Sequence, residues 1–236
     1  MRVLIIAQYF PPDMGGGATR AFNIAKGLSL NGCEVTVIAA FPHYPYGDIP
    51  KRYRWRPLQL ETFEGLRVIR TFVPPLASKG LVKRLILFIS FIVSSLFALP
   101  LVRKVDVVWA ANPNILSFFP AMVYGLLKRS PVVINVDDLW PEELLNSNIA
   151  KKGSLIFKIG EFLARIAYHK AKFITPISPG YTTIIVGKYR VDPDKINIVR
   201  AGVDTETFKP IDNKQPRDNK FKVLYSGAFS LSLIHI

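Results

Sequence analysis

Two adjacent carboxylates, Asp137 and Asp138, follow directly on the apolar run Val132–Val136. A strand there places both acids at its carboxyl end, where one can orient a substrate hydroxyl or accept its proton. The same acids can also cap a helix beginning at Pro141. A second candidate is the run Gly15, Gly16 and Gly17, preceded by Tyr9-Phe10-Pro11-Pro12-Asp13-Met14. Glycines between a strand and a helix let backbone N–H groups approach a phosphate at the positive helix end. The spaced-glycine dinucleotide pattern is absent, however, and a flexible turn accounts for the same residues. Trp140, Tyr44, Tyr46, Tyr53 and Trp55 can stack on sugar rings, lie at a lipid interface or pack internally. The run Lys51-Arg52-Tyr53-Arg54-Trp55-Arg56 suits anionic lipid headgroups, polyprenyl phosphates or single-stranded nucleic acid, and equally a solvated face. His43, His169 and His235 show no ligand spacing with the two acids, so neither a catalytic metal nor a cofactor is expected.

These residues need a scaffold that presents them together. Apolar runs of strand length at 3–7, 35–40, 105–110 and Val132–Val136 alternate with helical spacing at 18–30, 116–127, 154–169 and Pro179–Tyr189. Ala18, Ala21, Phe22, Ala25 and Leu28 share one face of the first helix, and Asn31-Gly32 supplies its stop. Ser178 and Pro179 supply the start of the last helix. Residues 58–73 alternate around Glu64-Gly65 as a hairpin, a short strand covers 173–175, and 196–199 closes the series. Near-continuous apolar strands separated by helices predict an α/β fold, a doubly wound parallel sheet covered on both faces, with its ligand crevice at the strands' carboxyl ends.

One stretch leaves its reading open. Residues 85–102 carry no charge and are flanked by Lys83, Arg84, Arg103 and Lys104, close to the length that crosses a bilayer. A span, a membrane-dipping helix and an ordinary buried helix are all compatible with it. Three serines and Pro100 weaken the span, which would also put strands of one sheet on opposite sides of a membrane.

Half of the 236 residues are hydrophobic, enough for a full core, and general disorder is excluded. The 31 Lys and Arg against 17 Asp and Glu leave a formal charge of +14, which favours an anionic partner. The basic residues are scattered rather than gathered on one helix, which weighs against nucleic acid. Cys33 is the sole cysteine, so no internal disulfide forms; its apolar setting suits a structural thiol in a reducing compartment. The opening apolar run is too short for a signal peptide and reads as a strand. Residues 201–220, with Asp204, Pro210, Asp212, Asn213, Pro216 and Asp218, read as a linker, and an apolar strand at 222–225 opens a further unit. The expected organisation is a first domain over 1–200, a linker over 201–220, and over 221–236 the start of a second domain that is cut short. The final run, 231–236, stays apolar where polar helix positions are expected and reads as foreign to the gene.

Three segments together resemble family 4 glycosyltransferases, particularly bacterial ones that assemble cell-surface polysaccharides. They are the run from Phe10 through Gly15-Gly16-Gly17 to Arg20, the run Asp137-Asp138-Leu139-Trp140-Pro141-Glu142, and the run from Ile198 through Gly202-Val203-Asp204 to Pro210. The last is the most specific, and Val223-Leu224-Tyr225-Ser226-Gly227 resembles the strand that opens the family's second domain. The resemblance implies a Rossmann-like first half of a two-domain GT-B architecture, with the second domain truncated, and transfer of a sugar with retention at its anomeric carbon. It places the glycine loop, Gly15 to Gly17, on the diphosphate of a nucleotide-sugar donor, Asp137 and Asp138 at the catalytic centre, and Arg20 and Trp140 on the acceptor side. The family's frequent His-Asp pair is here Asp137-Asp138. The implied acceptor is a lipid-linked saccharide, met by a cytoplasmic protein lying peripherally on the inner face of the cell membrane, and no activity is expected of the first half alone. A sugar-nucleotide epimerase of the same fold and a non-catalytic, membrane-attached binding subunit remain alternatives.

Overall fold

The computed structural model describes residues 1–77, 80–111, 115–146, 149–209, 221 and 223. Its centre is β1 (Arg2–Ile6), an apolar strand that pairs in parallel with β2 (Glu34–Ala40) on one side and β5 (Val107–Ala110) on the other. Ile5 stands opposite Val37 in one pair and Trp109 in the other. Outward from β2 lie β4 (Leu66–Thr71) and β3 (Leu58–Phe63), and outward from β5 lie β6 (Val132–Val136) and β7 (Phe173–Pro176). The seven strands run in the order β3-β4-β2-β1-β5-β6-β7, all parallel except β3, which returns from the expected hairpin. Glu64 and Gly65 both take positive φ, 48° and 78°, the backbone a tight hairpin turn requires.

Helix α1 (Gly16–Leu30) begins two residues before the expected Ala18, so Gly16 and Gly17 form its first turn. It lays Ala21 and Ala25 on one sheet face against Val3, Ile5, Val35 and Val37. The opposite face carries α2 (Leu81–Leu96), α3 (Phe118–Lys128), α5 (Leu155–Lys170) and α6 (Pro179–Tyr189), whose Phe91, Phe118, Tyr168 and Tyr189 close the larger core over Leu4, Ile6 and Ile134. The sheet is doubly wound with unequal cover. A short α4 (Glu142–Asn146) follows β6. Ser154 and Ser178 cap α5 and α6 by accepting from the N–H groups of Phe157 and Tyr181.

Two expectations shift. The apolar stretch 85–102 is not one helix: α2 ends at Leu96, where the Ser94 and Ser95 hydroxyls donate to the carbonyls of Phe91 and Ile92, and Pro100 bars continuation. None of the described helices is long and apolar enough to cross a membrane. α2 buries Leu87 and Phe91 and leaves Val82, Ile86, Ile89 and Val93 exposed. Residues 196–199 follow β7 through a single bridge, Ile174 to Ile196, and two hydrogen bonds. They form no strand, since Pro176 lacks an N–H with which to return the pairing. Residues 201–209 are exposed and turn around Asp204, whose carboxylate accepts from the N–H groups of Glu206 and Thr207. The rest of the expected linker, the strand at 222–225 apart from Val223, and the tail at 231–236 lie outside the described residues.

Candidate functional site

The strands on either side of β1 lead away in opposite directions, and a crevice opens at their carboxyl ends there. A cleft of about 510 Å³ occupies it, lined by Gly15, Gly16 and Gly17 at the start of α1 and by Asp138 and Trp140 after β6. Side chains of α2 and α5, among them Leu85, Phe88, Ile159 and Leu163, form the remaining wall.

At the glycine end, backbone amides of α1's first turn stand at the positive helix terminus, where no side chain supplies a cap. Gly15 has φ 145°, a backbone that L side chains rarely adopt, and a Cβ there would sit 3.4 Å from the Tyr44 ring. A Cβ at Gly16 would meet nothing within 4 Å. Open space in front of exposed amides is what a phosphate needs.

The paired acids divide their work. Successive residues leaving a strand point to opposite sides. Asp137 turns to Arg20 of α1 and forms an ion pair through Nε, while Arg20 Nη2 donates to Asn135 Oδ1 at 3.1 Å and to the Val199 carbonyl at 2.6 Å. Burial pushes the Asp137 carboxyl up, and the Arg20 guanidinium opposes that push. Asp138 turns into the cleft and makes no hydrogen bond or ion pair with the described residues. Burial, helped by the nearby negative charges of Glu143 and Asp137, pushes its carboxyl up to about 6. Neither acid caps α4. A carboxylate poised near neutrality and facing a cleft can accept a proton or a hydrogen bond from a bound hydroxyl.

The cleft thus collects Gly15, Gly16, Gly17, Asp138 and Trp140, and leaves behind it the ion pair of buried Arg20 with half-buried Asp137. Of the other aromatics, Tyr44 lines the cleft, Tyr46 is exposed, Trp55 is fully exposed, and Tyr53 is wholly buried, donating to Glu61 Oε2 at 2.7 Å. Among the described residues no group of three or more His, Cys, Asp or Glu side chains is arranged to hold a metal ion.

Two supports of the site were not foreseen. Asp13 Oδ1 accepts from the N–H groups of His43 and Tyr44 at 2.8 and 2.9 Å, fixing the loop after β2 against the glycine loop, and Tyr9 stacks on His43. Burial pushes the Asp13 carboxyl up and the His43 imidazole down. Arg70, wholly buried, pairs with Glu61 at 2.7 Å and donates to the carbonyls of Phe10, Pro11 and Ala40, tying the hairpin to the start of the same loop. An aspartate inside a Pro-Pro-Asp turn was a readable signal for the first; an arginine amid strand residues gave none. On α5, Gly160 packs so closely that a Cβ would lie 2.6 Å from Cβ of Pro141. A mid-helix glycine in an apolar pattern is the signal that could have located this contact.

Sheet order, crevice and glycine-started helix define a Rossmann-like, doubly wound α/β protein. Residues 14–207 match the family described as Glycosyltransferase Family 4, and the chain belongs to it. It is 25% identical over 242 residues to the Escherichia coli (strain K12) protein named "Putative colanic acid biosynthesis glycosyl transferase WcaI", a match covering 96% of this chain and 58% of that protein. Among solved structures it resembles the catalytic domain of starch synthase IV from Arabidopsis thaliana bound to ADP and acarbose, with TM-score 0.57 and 15% identity over 87% of this chain and 52% of that one. It also resembles Anabaena Alr3699/HepE in complex with UDP-glucose, with TM-score 0.51 and 13% identity over 90% of this chain and 47% of that one. These structural likenesses are likenesses of fold.

Proposed function

We propose that the chain supplies the acceptor-side domain of a retaining glycosyltransferase that moves a sugar from a nucleotide-sugar donor to a lipid-linked saccharide at the cytoplasmic membrane surface, in surface polysaccharide synthesis. The observation that carries the reading is Asp138, a carboxylate that faces the cleft with no hydrogen bond or ion pair to the described residues, across from the open α1 terminus. Asp138 receives the acceptor hydroxyl and Trp140 packs on its sugar ring. Amides of Gly16 and Gly17 meet the donor's diphosphate and stabilise the charge that develops on it as the glycosidic bond breaks. Arg20 acts through Asp137, holding the end of β6 so that Asp138 keeps its direction. No metal or cofactor enters the proposal. The donor nucleotide is held mainly by a second Rossmann-like domain, joined through the segment that begins after residue 200. Family membership, the name of the Escherichia coli relative and the nucleotide-bound neighbours support this reading.

The test assays the product of the complete gene with radiolabelled sugar nucleotides and a membrane lipid extract, following label into the organic phase. Expected is transfer that Asp138→Asn lowers by about a hundredfold or more. A complete two-domain protein that moves no sugar from any donor overturns the proposal.

A further inference from the structure

The cleft has two chemically different ends, and the proposed acceptor accounts for only one of them by its sugar. At the glycine end the lining offers backbone amides, Asp138 and Trp140. Between α2 and α5 the walls are Leu85, Phe88, Ile156, Ile159 and Leu163, none of which can hydrogen-bond. A saccharide seated there would lose its hydration and gain no partner. The cleft volume, about 510 Å³, lies within the range of ligand pockets, roughly 300–1,000 Å³. Leu85, Ile156 and Ile159 are 40%, 43% and 50% exposed, so the apolar wall continues outward instead of closing. The exposed side chains of Ile89 and Val93 on α2 and Phe162 on α5 carry it on. Among the described lining residues the cation is Arg84, in α2's first turn beside Leu85, and the same lining carries the Glu143 carboxylate.

We infer that the apolar end of the cleft binds the hydrocarbon chain of the acceptor, with Arg84 meeting the phosphate that joins chain to sugar; this rests on the lipid-linked reading above. The ligand class is a long alkyl or isoprenoid chain ending in phosphate. The chain runs out between α2 and α5, and the sugar it carries lies toward Asp138. Burial of hydrocarbon supplies the affinity, and the acidic end of the cleft sets the direction of entry.

Trp140 reports on the cleft, and a Trp140→Phe variant identifies its share of the fluorescence. The purified protein is titrated with farnesyl diphosphate, with dodecyl phosphate and with inorganic diphosphate. Expected is saturable quenching by a chain-bearing phosphate at concentrations about tenfold or more below those needed for inorganic diphosphate. The tighter of the two chains identifies its type. Leu85→Gln and Ile159→Gln, both at partly exposed positions, weaken the chain-bearing ligand by about tenfold with melting temperature unchanged. Leu30→Gln, on the exposed end of α1, leaves it unaltered. Inorganic diphosphate binding as tightly as farnesyl diphosphate overturns the inference, as does full binding by both glutamine variants. A dimer in sedimentation that these variants dissociate and the chain ligands do not displace assigns the apolar wall to a second copy instead, and equally overturns it. The underlying reading fails separately: label entering lipid without chain binding removes only the inference, whereas label entering only water-soluble glycan removes the lipid-linked acceptor.

Discussion

Asp138 owes its position to a single step of the strand pleat. One residue earlier, Asp137 meets Arg20; one residue later, Leu139 is buried. The folded-state carboxyl sits near 6, above its ordinary value of 3.8. A raised pKa means that this group's contribution to stability is full below about pH 4 and is lost as pH rises through about 6. Asp138→Asn does not titrate, so its melting temperature is expected to gain on that of the native protein between about pH 4 and pH 7, a comparison read from thermal melts at both values. The proposed transfer is expected to follow the opposite course, its rate climbing through about pH 6 as the carboxylate ionises, with no such climb in the asparagine variant. Gly16 separates ligand binding from folding in another way. A Cβ there meets nothing in the chain, and alanine favours the helix by at most about 1 kcal/mol. Gly16→Ala is therefore expected to melt no earlier than the native protein and to bind nucleotide-sugar about tenfold more weakly, since the methyl stands before the amides. The acids, the glycines and Trp140 were legible as residue types. Which acid faces the cleft was not, because the sense of the pleat depends on the pairing of β6 with β5 and β7 across residues distant in the chain.

Elements were readable where a local rule governs them. The hairpin turned where Glu64-Gly65 permits positive φ, and α6 began and ended where Ser178, Pro179 and Tyr189 set it. The extent of the helix within residues 85–102 was not legible, because apolar composition marks burial or interface and says little about where serine hydroxyls and a proline stop a helix. Contacts between elements left weaker traces. Gly160 brings α5 against the segment after β6, with room for no side chain between them. The Pro141 ring cannot swing aside as a flexible side chain would. Gly160→Ala is expected to cost about 1–3 kcal/mol, measured by chemical denaturation. Its neighbour Trp140 should change emission in the folded variant, because the strain is relieved by moving the wall that carries it. A loss of stability with unaltered Trp140 emission would place the adjustment on α5 instead.

At the scale of the whole molecule the charge is the property most fully legible in the sequence and the least informative about place. A balance of +14 predicts attraction to an anionic surface without saying which side meets it. The fold gathers some of that charge beside the cleft: Lys83 lies in the first turn of α2, Lys151, Lys152 and Lys158 surround the start of α5, all are exposed, and these two helices flank the cleft. Each basic side chain near an anionic leaflet contributes about 1 kcal/mol, and that contribution fades as salt shortens the screening length from roughly 10 Å at 0.1 M toward 3 Å at 1 M. In flotation with vesicles containing anionic lipid, the protein is expected to rise with them at low ionic strength and to be released in large part by about 0.5 M salt. Vesicles of neutral lipid should retain little. The double substitution Lys151→Glu and Lys152→Glu should weaken association by about tenfold or more, because two attractions become repulsions. The same reversal at Lys26 and Lys195, away from the cleft, should matter far less. Equal losses from both pairs would mean that charge acts on the molecule as a whole, and the cleft would then have no preferred orientation toward the membrane.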